Sequence, residues 1–374
     1  METQILEPTA GGEFAPTTTY LNTSSCGLLP RRTVRAVAAL AQELADGRPG
    51  GAGDFSAVTA ARESFARLAG VPHERVAVGG SVSVHVGLIA ASLPPGSEVL
   101  FPEGEYASVI TPFTVRGDLK TRFAPLEGLA DAVRPGTALV AFSSVQSADG
   151  RVADMAAVRA AAAAHGARTL LDASQSAGWQ PLAAGDWDYT VTGGFKFLLC
   201  PRGVSFLTVT EDAQEALPPL HAGTFAAERL WETTYGPIEE TATSARRYDE
   251  PPAFLSYHGA EQSLALLEEI GIDAVLAHDT ALARLFRAGL VELGHEPVPA
   301  DSAIVAVPGL GHRARELAGS GILLSERAGN LRASFHLYNS PADVERVLDR
   351  LAGRGSAVGG GCGAPADGRA GHPR

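Results

Sequence analysis

The stretch VTGGFKFLLCPRG, residues 191–203, contains Lys196, one of only two lysines among the 30 basic residues of the chain. The other, Lys120, lies in the polar stretch RGDLKTRF, where we expect an exposed side chain. Lys196 instead lies between two phenylalanines and ahead of a Pro-Arg-Gly turn, which is unlike a solvated surface lysine. Because arginine stays protonated and forms no imine, a lysine in this setting indicates amine chemistry.

A second candidate residue precedes Lys196 by one predicted strand. The stretch RTLLDASQSAGW, residues 168–179, ends a strand with Asp172, and Gln175 follows three positions later. If the two strands are neighbours in a parallel sheet, an acid and an amine reach one ligand at its carboxyl edge. Pyridoxal phosphate (PLP) needs such a pair, since a lysine binds its aldehyde as a Schiff base and a carboxylate keeps its pyridine nitrogen protonated. Asp172 alone is also typical of an ordinary strand end.

Short apolar strands alternate with helical stretches through the first two thirds of the chain. This pattern predicts an α/β fold with a mostly parallel sheet between helices, followed by a smaller C-terminal α+β domain. A helix beginning after Asp154 should end at Gly166. We predict an N-terminal arm at 1–30, a large domain at 31–250, a small domain at 251–353 and a disordered tail at 354–374. The predicted strands are 76–78, 98–101, 138–142, 168–171, 189–191, 204–209, 303–307 and 331–336, and the predicted late helices are 259–269, 272–293 and 341–351.

Composition excludes several classes of function. No apolar run approaches the roughly 20 residues of a membrane span, and a net charge of −12 without a basic tract argues against nucleic acid. Cys26, Cys200 and Cys362 form neither a disulfide framework nor a metal motif, so we expect no metal. The first 16 residues lack the features of a targeting peptide, which predicts a cytoplasmic protein.

Two further stretches offer groups that PLP requires. VAVGGSVSVHVGLIAASL, residues 76–93, places Gly80, Ser81 and Val82 at a helix N-terminus, where free N–H groups attract a phosphate. Such junctions are common, and this one matches no dinucleotide or P-loop motif. FPEGEYASVITPF offers Tyr106, whose ring could stack on a planar cofactor or pack in the core. We expect His85 to be a packed residue rather than a catalyst.

Together these stretches resemble class V of the fold-type I PLP enzymes, the group of cysteine desulfurases, isopenicillin N epimerase, kynureninase and the C–S lyase of ergothioneine biosynthesis. The resemblance covers about residues 20–351. Its motifs agree in order and spacing, from YLNTSSCGLLP near the start to LRASFHLYNSPADVERVL near the end. It implies a PLP-dependent homodimer with shared active sites.

The resemblance also implies roles for individual residues. Lys196 becomes the Schiff-base lysine, Asp172 the partner of the pyridinium nitrogen, and Gln175 a hydrogen-bond partner of the phenolic oxygen. Tyr106 takes the stacking position, and Arg332 takes the place of the arginine that binds the substrate α-carboxylate. The remaining implied contacts are the phosphate turn at Gly80, Ser81 and Val82, a neighbouring subunit's phosphate at Gly223 and Thr224, and the substrate side at Asn22, Ser24, Ser25 and Gln146.

The chain departs from the family pattern in two places. Where the family usually has histidine just before the lysine and serine or threonine three residues before it, this chain has Phe195 and Gly193. Thr192, one place earlier, is then the candidate phosphate contact. The stretch SGILLSERAGNLRAS, residues 320–334, lacks the persulfide-forming cysteine that cysteine desulfurases carry there. We therefore do not expect sulfur transfer through an enzyme thiol.

The expected function is that of a PLP enzyme acting on an amino acid. The preferred reaction is β-elimination from an S-substituted cysteine by a C–S lyase of sulfur-metabolite or natural-product biosynthesis. An aminotransferase of an amino acid or amino metabolite is the alternative, and an epimerase or a non-catalytic PLP-fold binder stays open. In the catalytic readings, the freed amine of Lys196 is the expected base for the α-proton.

Overall fold

The computed structural model describes residues 12–48, 55–230, 232 and 234–354. The predicted tail, apart from Arg354, and Cys362 within it lie outside the described residues. The strands β1 to β12 are, in chain order, Thr19–Tyr20, Val76–Gly79, Glu98–Pro102, Lys120–Ala124, Thr137–Ser143, Arg168–Asp172, Tyr189–Gly193, Ser205–Val209, Ile304–Val307, Ile322–Leu323, Ser325–Arg327 and Asn330–Ser334. The helices α1 to α10 are Arg31–Ala45, Ser56–Ala69, Val82–Ser92, Ala107–Thr114, Met155–His165, Glu211–Ala216, Phe254–Ile270, Ile272–Glu292, Arg313–Ala318 and Pro341–Leu351.

A seven-stranded sheet forms the centre of the described chain, in the order β2-β8-β7-β6-β5-β3-β4. β8 runs antiparallel to both of its neighbours, and the other six strands are parallel to one another. The six strands predicted for this part of the chain are all present. β4 was not predicted, because as an edge strand beside β3 it is largely exposed and carries no apolar run.

Apolar side chains cover both faces of this sheet. Leu139 and Leu170 belong to one core cluster, whereas their neighbours Val140 and Leu171 belong to another. Successive side chains of a strand point to opposite faces, so both faces are packed and water is excluded from the sheet. The predicted α/β fold with a mostly parallel sheet between helices is confirmed.

Helix α5 shows how local sequence fixes an element. The Asp154 side chain accepts a hydrogen bond from the backbone N–H of Ala157, which caps the start of the helix. The helix ends at Gly166, whose φ of +67° is the left-handed conformation that glycine adopts most easily. Both predicted ends are confirmed. In helix α1 two large apolar side chains are exposed, Val34 at 50% and Leu44 at 42%.

The C-terminal part forms a second, three-stranded antiparallel sheet in the order β11-β12-β9. The N-terminal arm packs against this part of the chain: β1 and β10 form a separate parallel two-stranded sheet, and Leu21 lies in the same core as Phe286 and Phe335. Another core cluster includes Phe206 of the large sheet and Ile304 of the small one. The apolar core is therefore continuous between the two sheets, and the division at residue 250 stays a prediction.

Candidate active site

Asp172 and Lys196 lie at the same edge of the large sheet. Asp172 ends β6, and Lys196 follows the parallel neighbour β7 by three residues. Both line a cavity of about 150 Å³, together with Ser81, Val82 and Tyr106. The sheet thus brings together the acid and the amine that the sequence placed at adjacent strand ends.

Lys196 is buried in a positively charged environment. The residue is only 8% exposed. Burial has the largest influence on the pKa of its amine, and the opposing charge of Asp172 has the second largest. Burial and the positive charges of Arg332, Arg202 and Arg327 together lower the pKa of Lys196 to about 8. A useful fraction of the amine is therefore neutral near physiological pH. Lys120, by contrast, is exposed as expected.

Two glycines allow other segments to approach the lysine loop closely. A Cβ atom at Gly27 would lie 2.2 Å from the carbonyl oxygen of Lys196, and the Gly27 N–H donates to the Phe195 carbonyl. A Cβ atom at Gly178 would lie 2.2 Å from the carbonyl oxygen of Phe197. The N-terminal arm and the turn after β6 therefore enclose this loop from two sides.

Tyr106 presents an uncovered aromatic ring to the cavity. Tyr106 immediately precedes α4 and is 47% exposed. The Lys196 Nζ lies 5.3 Å from the centroid of its ring. A ring in this position can cover a flat ligand bound to the lysine. The stacking role that the family resemblance implies for Tyr106 stays a prediction.

Glu105, which sequence reasoning missed, fixes the surroundings of Tyr106. Its carboxylate accepts hydrogen bonds from the backbone N–H of Tyr106 at 2.6 Å, from the N–H and hydroxyl of Ser143 at 2.7 and 2.6 Å, and from the Gln146 amide at 3.0 Å. Burial raises the pKa of Glu105, and these hydrogen bonds oppose that rise. The predicted substrate contact Gln146 is thus buried and held by Glu105. An acid beside a tyrosine gives no local signal of such a role.

The predicted phosphate turn is only partly open to a ligand. Ser81 occupies the N-cap position of α3 without a side-chain capping hydrogen bond, and both Ser81 and Val82 line the cavity. The N–H of Gly80, however, donates to the Glu250 carboxylate at 2.9 Å. The Thr192 hydroxyl is buried without a hydrogen-bond partner and does not line the cavity, whereas Ser174 does. His85 is buried, and burial lowers its pKa to about 4, as expected of a packed histidine.

Gln175 is buried beside the N-terminal arm and does not line the cavity of Lys196. Its Nε2 donates to the carbonyl of Ser24 at 3.1 Å and to the hydroxyl of Ser147 at 3.0 Å. Its Oε1 has no partner, and neither do the Asn22 Oδ1 and Ser24 Oγ atoms of the arm. Buried polar atoms without partners cost free energy, and each of these atoms is free to form a hydrogen bond with a polar ligand.

Arg332 is a buried cation, with 1% of its surface exposed. Its Nε donates to Ser325, its Nη1 to the carbonyl and hydroxyl of Ser147, and its Nη2 to the Ser25 hydroxyl at 2.8 Å. Among the described residues no carboxylate pairs with it. Burial, with the charge of Arg327, lowers its pKa to about 9. A buried guanidinium that has no carboxylate partner and lies near a second cation is a ready site for an anion.

Gly223 and Thr224 lie apart from Lys196. They line a separate surface groove of about 480 Å³, and neither lines the cavity of Lys196 and Asp172. Their predicted contact is with a neighbouring subunit, which a single chain does not test. That role stays a prediction.

A buried histidine, also missed from the sequence, supports the lysine loop. His336 follows β12, and its Nε2 lies 3.0 Å from the carbonyl oxygen of Phe197, the residue after Lys196. Its Nδ1 lies 2.8 Å from the Asp279 carboxylate of α8. Both side chains are fully buried. A single ring thus connects the small sheet and α8 to the loop that carries the lysine.

Comparison with known proteins identifies the family. The model of the family described as Aminotransferase class-V matches residues 54–347. The chain belongs to the class V aminotransferase family. Its cofactor is pyridoxal 5'-phosphate, and the residues present fit that group: a buried amine and carboxylate share one cavity with an uncovered aromatic ring and a helix N-terminus.

The class V relatives carry several different names. The uncharacterized aminotransferase YcbU of Bacillus subtilis is 27% identical over 79% of this chain and 83% of its own length. Isopenicillin N epimerase of Amycolatopsis lactamdurans is 32% identical over 54% of this chain and 57% of its own length. A solved complex of the cystine C–S lyase C-DES with cysteine persulfide has a TM-score of 0.80 at 24% identity, covering 90% of this chain and 97% of the lyase. At 24% identity, the similarity to C-DES shows a shared fold.

Two other classes of site find no support in the described part of the chain. No group of three or more His, Cys, Asp or Glu residues there has a metal-binding arrangement. Within the same residues, no helix has the length and apolarity that crossing a membrane would require.

Proposed function

We propose that this class V enzyme is a C–S lyase that eliminates the sulfur substituent of an S-substituted L-cysteine. The overall reaction consumes one water and gives a thiol, pyruvate and ammonia. Three groups support an amino-acid substrate: Lys196 and Asp172 line one cavity, and the buried Arg332, whose charge acts on Lys196, has no carboxylate partner among the described residues.

The choice of a lyase over a sulfur transferase depends on one observation, the hairpin beside Arg332. β11 and β12 are joined by only Ala328 and Gly329, and this hairpin carries no thiol that could accept sulfur. Cys200 is fully buried, with its thiol pKa raised by burial. Cys26 does not line the cavity, and its thiol donates to the Gly27 carbonyl. Sulfur should therefore leave with its substituent as a free thiol.

PLP, when bound, supplies an acceptor for the electron pair of the substrate Cα–H bond. Lys196 then acts as the base at Nζ, because a pKa near 8 leaves part of the amine neutral and able to take the α-proton. The Asp172 carboxylate, which accepts the Ser174 N–H at 2.8 Å, holds a proton at the pyridine nitrogen. Arg332 binds the α-carboxylate through its planar fork of N–H groups.

The test of this proposal is product formation without a co-substrate. The purified holoenzyme should release pyruvate and ammonia in equal amounts from one or more of a set of S-alkyl, S-aryl and S-carboxyalkyl cysteines, with no keto acid present. Lys196→Ala should abolish both products. If no member of the set yields pyruvate or ammonia, the enzyme is not a C–S lyase.

Transamination is the second candidate, favoured by the likeness to YcbU along most of the chain. An aminotransferase stops after one half-reaction unless a keto acid is added, so keto-acid dependence separates the two reactions. Epimerisation, suggested by the shorter match to isopenicillin N epimerase, would exchange the α-proton with solvent without releasing ammonia. Proton exchange measured in deuterated water identifies that outcome.

We also propose that the enzyme is a homodimer with shared active sites. Gly223 and Thr224 line a groove away from Lys196 of the same chain, and the α1 face containing Val34 and Leu44 is exposed. When Lys196→Ala and Thr224→Asp chains are mixed and allowed to reassemble, each dimer that contains one chain of each variant should have one intact site. Recovery of up to about one quarter of wild-type activity is expected from random pairing, and a monomeric mass in solution would contradict the proposal.

A further inference from the structure

The β11–β12 hairpin carries a second arginine on the same face as Arg332. In the antiparallel register Ser325 lies opposite Arg332, and Arg327 lies opposite Asn330. Residues directly opposite one another, and residues two apart, share a face of the sheet. Arg327 and Arg332 therefore project toward the same side, where Arg332 contacts Ser147 and Asn330 contacts the carbonyl of Ala148.

The turn fixes where Arg327 lies. Ala328 and Gly329 connect the strands with φ values of +48° and +79°, as a two-residue hairpin with both central residues left-handed requires. An alanine in this conformation is unusual, so the tight turn is a specific feature of the chain. Glu326, the acidic neighbour of Arg327, faces the other side, where its Cγ lies near Gly311.

The Ser25 hydroxyl joins the two arginines. It accepts hydrogen bonds from the Nη2 of Arg332 at 2.8 Å and from the Nη2 of Arg327 at 3.0 Å. Two guanidinium groups on one neutral oxygen repel each other, and an anion between or beside them would offset that repulsion. The charge of Arg327 also contributes to the lowered pKa values of Arg332 and Lys196, so its field reaches the catalytic amine.

The charge of this region is opposite to that of the whole chain. The chain has a net charge of −12, yet Arg332, Arg202 and Arg327 all act on Lys196, and Asp172 is the acid that opposes them. Arg327 and Arg202 form no ion pair with any carboxylate of the described residues. Arg202 stacks on Phe195, with its guanidinium carbon 4.4 Å from the ring centroid. With the α-carboxylate assigned to Arg332, Arg327 is left without a carboxylate partner among the described residues.

We propose that the substrate carries a second anionic group on its side chain and that Arg327 binds it. This inference rests on the proposed function, which assigns the α-carboxylate to Arg332. The substrate class is then an amino acid with an acidic side chain, and for a C–S lyase it is an S-carboxyalkyl cysteine. Arg327 determines specificity by its charge, while Ser25 holds both guanidinium groups in place.

A pair of nearly isosteric ligands tests this directly. S-carboxymethyl-L-cysteine has a side-chain carboxylate, and S-carbamoylmethyl-L-cysteine replaces it with a neutral amide. Each is titrated into the holoenzyme while the coenzyme absorbance is followed, which measures binding whether or not products form. Because Arg327 is exposed, we expect the acid to bind about threefold to fivefold more tightly than the amide. Arg327→Gln should reduce this ratio to about one by weakening the acid, while Arg327→Lys should retain part of it.

Arg315→Gln, an exposed arginine on α9, is the matched control and should leave the ratio unchanged. Equal binding of the two ligands by the wild type would overturn the proposal. So would an equal loss for both ligands in Arg327→Gln, which would mean that Arg327 helps to bind the α-carboxylate. If the acid binds selectively but no pyruvate is released, the proposed lyase reaction is wrong and the role of Arg327 is supported. If pyruvate is released but the two ligands bind equally, the lyase reaction is supported and the role of Arg327 is wrong.

Discussion

The imidazole of His336 lies 2.8 Å from the Asp279 carboxylate, measured from Nδ1 to Oδ2, and both side chains are fully buried. The other ring nitrogen reaches the carbonyl of Phe197, so the pair fixes the loop that begins at Lys196. Asp279→Asn leaves the histidine without its acidic partner. We expect a loss of about 1–3 kcal/mol in the free energy of unfolding, measured by denaturant titration.

The control for this prediction is Glu292→Gln, an exposed acid on the same helix, which should change stability by less than about 0.5 kcal/mol. A loss below about 1 kcal/mol for Asp279→Asn would show that the buried pair does not hold the loop.

Glu105 offers a second test of how the site is positioned. Glu105→Gln keeps the shape of the side chain but replaces one carboxylate oxygen with an amide N–H₂. That group would face hydrogen-bond donors, which in the wild type donate to the carboxylate. We expect a loss of about 1–3 kcal/mol in stability and weaker substrate binding, since Tyr106 and Gln146 lose their shared anchor. Glu103→Gln, two residues away and exposed, should behave as wild type. Unchanged stability and KM in Glu105→Gln would rule out this role.

The lowered pKa of Lys196 predicts a pH dependence for coenzyme binding. Only the neutral amine attacks an aldehyde, so the rate of reconstitution of the coenzyme-free protein should rise by about tenfold per pH unit below pH 8 and level off above it. An ordinary lysine would show this rise up to about pH 10.5, the usual lysine value. Stopped-flow absorbance after mixing with PLP measures the profile, and a rate still climbing at pH 10 would contradict the lowered pKa.

Two substitutions should move that midpoint in opposite directions. Arg332→Gln removes a positive charge that lowers the pKa of Lys196, so the midpoint should shift to higher pH. Asp172→Asn removes the charge that raises this pKa, so the midpoint should shift to lower pH. Asp131→Asn, an exposed acid outside the cavity, should leave the midpoint unchanged. Shifts of the same sign in both variants would reject this electrostatic explanation.

Asp172→Asn should also slow the reaction itself. The amide keeps the size of the side chain but cannot hold a proton on the pyridine nitrogen. We expect kcat to fall by roughly 10²-fold or more, which is the usual scale when a general acid or base is lost. Steady-state product formation at saturating coenzyme measures this, and near-normal turnover would show that Asp172 does not contact the ring.

The elements that the sequence predicts correctly are those whose signal lies within a short stretch of the chain. Buried parallel strands appear as apolar runs, so β6 and β7 were located, and their order placed Asp172 near Lys196. β4 escaped prediction because an exposed edge strand has no such run. The contacts of Glu105 with Ser143, and of His336 with Asp279, join residues 38 and 57 positions apart. They arise from tertiary packing, which one sequence does not reveal.

The central claim is that Lys196 is the residue to which PLP is covalently attached. Borohydride reduction of the holoenzyme followed by peptide mass spectrometry tests it, with Lys120, the other lysine of the chain, as an internal control. We expect a reduced adduct on the peptide containing Lys196, none on Lys120, and none in Lys196→Ala. An adduct on Lys120, or no adduct on Lys196 in protein saturated with PLP, would contradict it.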